Sequence, residues 1–91
     1  MDICIGSVVI SKAGRDKGRS FIVVAQEGEF VYLCDGDLRK SDCPKKKKRK
    51  HLAFTNIVCD YIGDKIKDKK KVTNTEIRRA LSELYADVKE N

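Results

Sequence analysis

The chain predicts a mostly β domain with a C-terminal α segment: a small β-barrel followed by one or two short helices. Three observations carry this reading. Short runs of β-branched and aromatic residues recur through the first part of the chain, separated by glycine-containing turns. After Phe54 the apolar period changes from two to about four, as Val58, Ile62 and Ile66 show. At 91 residues the chain is long enough for one domain with a modest core. The expected division is a barrel over residues 1–54 and a helical extension over 55–91. Closure into a barrel would hide sheet edges that otherwise stand open to other chains.

Residues 3–11 form the first expected strand, with Val8 and Ile10 on one face and Val9 on the other. It runs into a turn at 12–19, where Gly14 and Gly18 bracket Arg15, Asp16 and Lys17. Residues 20–25 (Ser-Phe-Ile-Val-Val-Ala) make a second strand, and residues 30–34 a third after a Glu-Gly-Glu turn. Asp35-Gly36 signals a tight hairpin, so residues 37–40 are expected as a fourth strand. A loop at 41–44 ends in Pro44 and leads to a lysine-rich run read as a flexible arm. Residues 51–54 resemble a short fifth strand that closes the sheet.

Thr55 or Asn56 can cap the first helix, which Gly63 weakens. Residues 65–71 read as a polar linker. Thr73-Asn-Thr-Glu76 is a capping box, and Ile77, Leu81, Leu84, Tyr85 and Val88 follow at helical spacing. The last helix should therefore span about 74–89, with one apolar face to bury on the first helix, the barrel or a partner.

Twenty Lys plus Arg against fourteen Asp plus Glu give a formal charge of +6. Arg39, Lys40, Lys45, Lys46, Lys47, Lys48, Arg49 and Lys50 stand against the single acid Asp42 in that stretch. Such a block favours a polyanion. A membrane surface needs an apolar face beside the charges, and the run has none, so nucleic acid is the expected partner. No apolar run approaches the length of a membrane span. The N-terminus lacks a signal peptide's pattern, and the expected location is the cytoplasm. Cys4, Cys34, Cys43 and Cys59 form no close ligand pair. Cys4, Cys34 and Cys59 should be buried thiols and Cys43 an exposed one; no metal or cofactor is expected.

The candidate contacts to nucleic acid are two groups of cations and their neighbours. Lys12, Arg15, Lys17, Gly18 and Arg19 make a glycine-bracketed basic turn, able to present N–H groups and charge to a phosphate. Lys45, Lys46, Lys47, Lys48, Arg49 and Lys50 make the arm, with His51 beside it and Arg39 and Lys40 as an extension. Lysine outnumbers arginine here, which favours phosphate contact over base readout. Of the aromatics Phe21, Phe30, Tyr32, Phe54, Tyr61 and Tyr85, most sit among apolar residues as expected core. Tyr32 points away from Val31 and Leu33 and is the best candidate to stack on a base. No nucleophile motif, nucleotide-binding glycine motif or paired catalytic histidine is present, so no enzymatic activity is expected.

Residues 6–24, Gly-Ser-Val-Val-Ile-Ser-Lys-Ala-Gly-Arg-Asp-Lys-Gly-Arg-Ser-Phe-Ile-Val-Val, resemble the KOW motif of ribosomal proteins and transcription elongation factors. Gly18 occupies the place of that motif's characteristic glycine. The continuation through Val31-Tyr-Leu-Cys-Asp-Gly-Asp-Leu-Arg-Lys and Pro-Lys-Lys-Lys-Lys-Arg-Lys-His-Leu is similar to one branch. That branch is the small bacterial KOW-domain RNA-binding proteins related to an archaeal and eukaryotic large-subunit ribosomal protein family. Thr-Glu-Ile-Arg-Arg-Ala-Leu (75–81) looks like their C-terminal helix. The resemblance implies an SH3-like β-barrel and contact with structured, ribosomal RNA through Lys12, Arg15, Lys17 and Arg19. It implies a ribosome-associated protein, monomeric when free, that binds rRNA or assists large-subunit assembly. Glu83, Asp87 and Glu90 depart from an RNA-coating surface and leave room for a ribosomal or assembly protein at the C-terminal helix. Two other readings follow from the same features: a protein-interaction module of the SH3-like class, and a nucleic-acid or transcription-elongation accessory factor.

Overall fold

A computed structural model describes residues 4–85, with side chains through Glu83. Five strands form one antiparallel sheet: β1 (Ser7–Ser11), β2 (Ser20–Glu27), β3 (Phe30–Cys34), β4 (Lys45–Lys48) and β5 (Leu52–Val58). Two helices follow, α1 (Asp60–Lys67) and α2 (Asn74–Ala80), and α2 continues into a wide π-helical turn, Leu81–Tyr85. The chain is thus mostly β with C-terminal α. The strand order is β4-β3-β2-β1-β5. The two edge strands are consecutive in sequence, joined by a 3-10 turn of three residues, Arg49–His51. So short a link between opposite edges requires the sheet to curl until its edges approach. Bulges in the β1–β5 and β2–β3 pairings supply the bend. No ladder of hydrogen bonds joins β4 to β5, and the sheet stays open.

Both faces of the sheet are apolar, which a single strand's alternation makes visible. Val9, Phe21, Val23, Val31, Leu33 and Leu52 come only from strands and pack on one another inside the curl. Val8, Ile22 and Cys34 face outward and pack with Cys59, Ile62, Val72, Ile77, Ala80 and Leu81. The helices therefore share a core with the sheet. The expected boundary at 54/55 falls inside β5, not between two units.

The helix ends differ in how well local chemistry announces them. Thr73 accepts from the Glu76 amide while Glu76 accepts from the Thr73 amide, the expected capping box. Helix α1 begins later than expected, after Cys59. Thr55 is still in β5, where its hydroxyl donates to the Val8 carbonyl at 2.6 Å. The Cys59 amide bonds the Gly6 carbonyl at 2.8 Å. Gly63 then sits against the 4–6 segment: a Cβ there would lie 2.9 Å from the Ile5 carbonyl oxygen. The glycine that weakens the helix in isolation is what lets it dock.

Three further expectations change. Strand β1 begins at Ser7 among the described residues, and α1 extends to Lys67, into the expected linker. Residues 37–40 form a bend, not a strand. The Asp35 carboxylate accepts from the amides of Asp37 and Arg39 at 2.9 and 2.8 Å, an Asx-type turn that replaces the hairpin. Helix α2 lies over that turn. Arg78 donates to the Gly36 carbonyl at 2.6 Å, and Asn74 accepts from the Ser41 amide at 2.7 Å. Cys4 is exposed, while Cys34 and Cys59 are buried and Cys43 exposed as expected. The part of the last helix expected beyond Tyr85, including Val88, Asp87 and Glu90, lies outside the described residues.

Candidate nucleic-acid interface

The basic turn is held by its own backbone. The amides of Ser11 and Gly18 bond the carbonyls of Arg19 and Ser11, and the Arg19 amide bonds the Asp16 carbonyl at 2.9 Å. Gly14 and Gly18 have φ of +78° and +88°, a region that disfavours side chains, and open space stands where each Cβ would be. The turn thus needs glycine for its conformation, and a partner can come close to it. The amides of Lys17, Gly18 and Arg19 are consumed inside the turn. Those three N–H groups are therefore not available to a phosphate, whereas the cationic side chains of the turn are.

The lysine run is not a flexible arm. Lys45–Lys48 is strand β4, paired with β3 in the register Leu33↔Lys45, Tyr32↔Lys46, Val31↔Lys47 and Phe30↔Lys48. Arg49, Lys50 and His51 form the 3-10 turn. The physical cause lies in β3, whose backbone groups need a partner and whose inner residues Val31 and Leu33 need cover. Long lysine stems supply that cover while their ammonium groups reach polar atoms at the rim.

Strand alternation sorts the four lysines into two roles. Lys45 and Lys47 stand on the inner side, where they meet the basic turn. Lys45 pairs with Asp16, which is only 7% exposed. Lys47 donates to the Ser11 hydroxyl and, at 2.9 Å, to the Ala13 carbonyl. The hydrogen bond from Lys45 holds the Asp16 carboxyl below its usual range, against the opposing effect of burial; Arg39 and Lys47 add to it. Burial lowers the Lys47 ammonium, and repulsion from Lys45 adds to that. Asp16 is therefore the anion on which Lys45, Lys47 and Arg39 converge. Its bond to Lys45 ties residues 29 positions apart in sequence into one corner of the molecule.

Around that corner stand cations with no ion-pair partner among the described residues. Lys12, Arg15 and Lys17 are exposed on the turn, Arg39 acts on Asp16 through its charge, Lys50 is exposed after β4, and Lys40 is exposed in the loop beyond Arg39. Lys12 is anchored next to His51, whose carbonyl accepts from the Lys12 amide at 2.8 Å. The other candidates are engaged. Arg19 bonds Asp35 at 2.8 Å and lies 3.9 Å from Asp37, beside an open cleft of about 410 Å³ that Gly18 and Arg78 also line. Arg49 donates to Gln26 at 2.6 Å. Lys48 lies 4.0 Å from Glu29, and Lys46 lies over the Phe30 ring. The sequence-predicted residues thus converge, but only part of their charge is free.

Sequence reasoning missed Asp16, the acid inside a basic turn. Its position between Gly14 and Gly18 was the available signal: an anion in the middle of a cationic loop needs a cation to meet. The aromatics also depart from expectation. Phe21 is core, but Phe54 is 49% and Tyr61 62% exposed. Tyr61 donates to Glu76 at 2.6 Å, and Lys65 donates to the same carboxylate at 2.7 Å. With Lys65 first and Tyr61 second, these bonds depress Glu76 to about 2. No three metal-ligating side chains cluster among the described residues. No described helix is long and apolar enough to cross a membrane. Neither the known protein-family models nor the curated proteins include a match to this chain.

Proposed function

We propose that the protein is a non-enzymatic RNA-binding protein that works with the ribosome, binding rRNA or assisting assembly of the large subunit. In this reading the curled sheet is an SH3-like barrel of the KOW type. The observation that carries the proposal is the junction of β4 with the basic turn. Asp16, Ser11 and Ala13 hold Lys45 and Lys47 inward, so that Lys12, Arg15, Lys17, Arg39 and Lys50 stand about one corner. Cations fixed on a folded corner lose less freedom on binding than cations on a loose arm. Each phosphate they neutralise releases counterions from the RNA, which drives association and makes it salt-dependent. The corner reads backbone shape and not base edges.

The test is a salt series of affinities for a structured rRNA fragment. Wild-type log affinity should fall linearly with log salt. The variant K12S/R15S/K17S should flatten the slope by about 0.7 to 0.9 for each phosphate it no longer neutralises. A wild-type protein with no salt-dependent RNA affinity, or one that prefers duplex DNA, overturns the proposal. Sedimentation of lysate through sucrose at low and high salt tests the ribosomal part: co-migration with the large subunit only at low salt is expected.

One observation favours a second reading, a protein-interaction module: Phe54, Val58 and Tyr61 leave apolar surface exposed near β5. Partners that persist after nuclease treatment would support it. The apolar face of α2 is less available, because Ile77, Ala80 and Leu81 already pack on the sheet.

A further inference from the structure

The outer face of the β3–β4 hairpin carries four side chains that neither core uses. The register sets Phe30 opposite Lys48 and Tyr32 opposite Lys46, and directly opposed residues share a face. Val31 and Leu33 alternate to the inner side and are fully buried. Cys34 shares the outer face with Tyr32 but lies under the helices with Ile22 and Val8. The helices thus cover one end of this face and leave Phe30, Tyr32, Lys46 and Lys48 beyond them. The Lys46 ammonium sits 4.5 Å from the Phe30 ring centroid, and that of Lys48 5.9 Å. Phe30 and Tyr32 are half-buried and Lys46 is exposed, so a group arriving from solvent meets the Phe30 ring once the Lys46 side chain swings aside.

We propose that this face is a stacking platform for unpaired bases of single-stranded RNA. Phe30 and Tyr32 carry the bases, and Lys46 and Lys48 take the adjoining phosphates. The proposal rests on the RNA-binding reading above and names the RNA class that reading leaves open. Residues two apart on a strand are separated by about 6.8 Å, twice the roughly 3.4 Å step between stacked bases. The two rings can therefore engage neighbouring bases only of a strand that is extended and unstacked, one base on each ring. Every base has a π-face, so such a platform tolerates any sequence. When a base arrives, the ammonium over Phe30 has only to swing to the phosphate of the same nucleotide.

Strand β4 is an edge of the sheet. Its inner lysines hold the phosphate-gripping corner, and its outer lysines belong to the platform. A single RNA can pass around that edge and use both. The RNA class that fits is a helix with unpaired bases beside it, as at a loop or bulge.

The experiment uses the full chain with two labelled probes, a fully paired RNA hairpin and a short oligoadenylate. The variant F30L/Y32L should lose about fivefold or more in oligoadenylate affinity for each stacked base. It should keep the wild-type affinity and salt slope on the paired hairpin. The turn variant K12S/R15S/K17S should flatten the slope on both probes. If F30L/Y32L binds oligoadenylate like wild type while the turn variant still fails, the platform is wrong and the RNA-binding reading stands. If wild type binds neither probe, the underlying reading itself falls. A measurement on the unaltered protein guards against misfolding: ring protons of Phe30 and Tyr32 should shift upfield in NMR spectra when oligoadenylate is added. Unmoved ring signals at saturating oligoadenylate overturn the platform.

Discussion

The basic turn and strand β4 carry comparable charge but are ordered by opposite means. The turn is fixed by its backbone, through two positive-φ glycines and hydrogen bonds that close it on itself. Strand β4 has only lysines, and it is fixed by its neighbours: the β3 ladder on one side and the turn's polar atoms at its end. A cationic turn with glycines at the right places is rigid by its own local chemistry. A cationic run becomes rigid only if an apolar strand elsewhere in the chain lacks an edge partner. The role of a lysine in this molecule follows from which face of β4 it occupies, not from the density of charge around it.

The sharpest way to break that comparison is to change the two faces of β4 separately. K45S/K47S removes both clamps and strands the buried Asp16 carboxylate. It should cost about 3 kcal/mol in chemical denaturation. K46S/K48S changes the same number of charges on the outer face and should stay within about 0.5 kcal/mol of wild type. Equal losses from the two pairs would erase the distinction between the faces.

A smaller loss is expected in the turn. Gly18→Val forces a β-branched residue to φ near +88° with no steric neighbour to meet. The cost should be about 1 to 2 kcal/mol from conformation alone, with reduced RNA affinity because the turn deforms. Gly36→Ala provides the contrast. Its Cβ would lie 2.5 Å from the Asn74 carbonyl oxygen and 2.8 Å from the Arg78 side chain, at φ +78°. Its larger loss of stability should come without the loss of RNA affinity per folded molecule.

The smallest effect is a dependence on pH. The folded-state values of Asp16 and Glu76 lie below their ordinary ones, Glu76 at about 2. Each therefore stabilises the fold above its ordinary value and loses that contribution as acid protonates the folded form. The melting temperature should fall as pH drops from about 4.5 towards 2. Glu76→Gln should flatten that fall without touching the corner at Asp16, and a pH profile identical to wild type would contradict the bonds from Lys65 and Tyr61.

Much of the fold was legible because local chemistry decided it. The hydrophobic runs that became β1, β2 and β3, and the Thr73–Glu76 capping box, are short-range signals. What escaped was decided at long range. Asp35-Gly36 has the composition of a hairpin turn, yet α2 lies against it and Gly36 serves close approach instead. Lys45, Lys46, Lys47 and Lys48 have low strand propensity as a block, yet Val31 and Leu33 required a neighbour. Among site residues, Lys12, Arg15 and Lys17 are exposed as read. Arg19, Lys45, Lys47 and Arg49 are engaged by Asp35, Asp16, Ser11 and Gln26, partners 16 or more positions away.

The most direct test of the central claim is the RNA affinity of Asp16→Asn. If the corner were only a cloud of charge, removing an acid from a protein of formal charge +6 would raise affinity for RNA. The reverse is expected at constant salt, because Asp16 holds Lys45 and the basic turn in one rigid arrangement. Lower affinity in a folded D16N protein supports the composite surface; unchanged or higher affinity contradicts it.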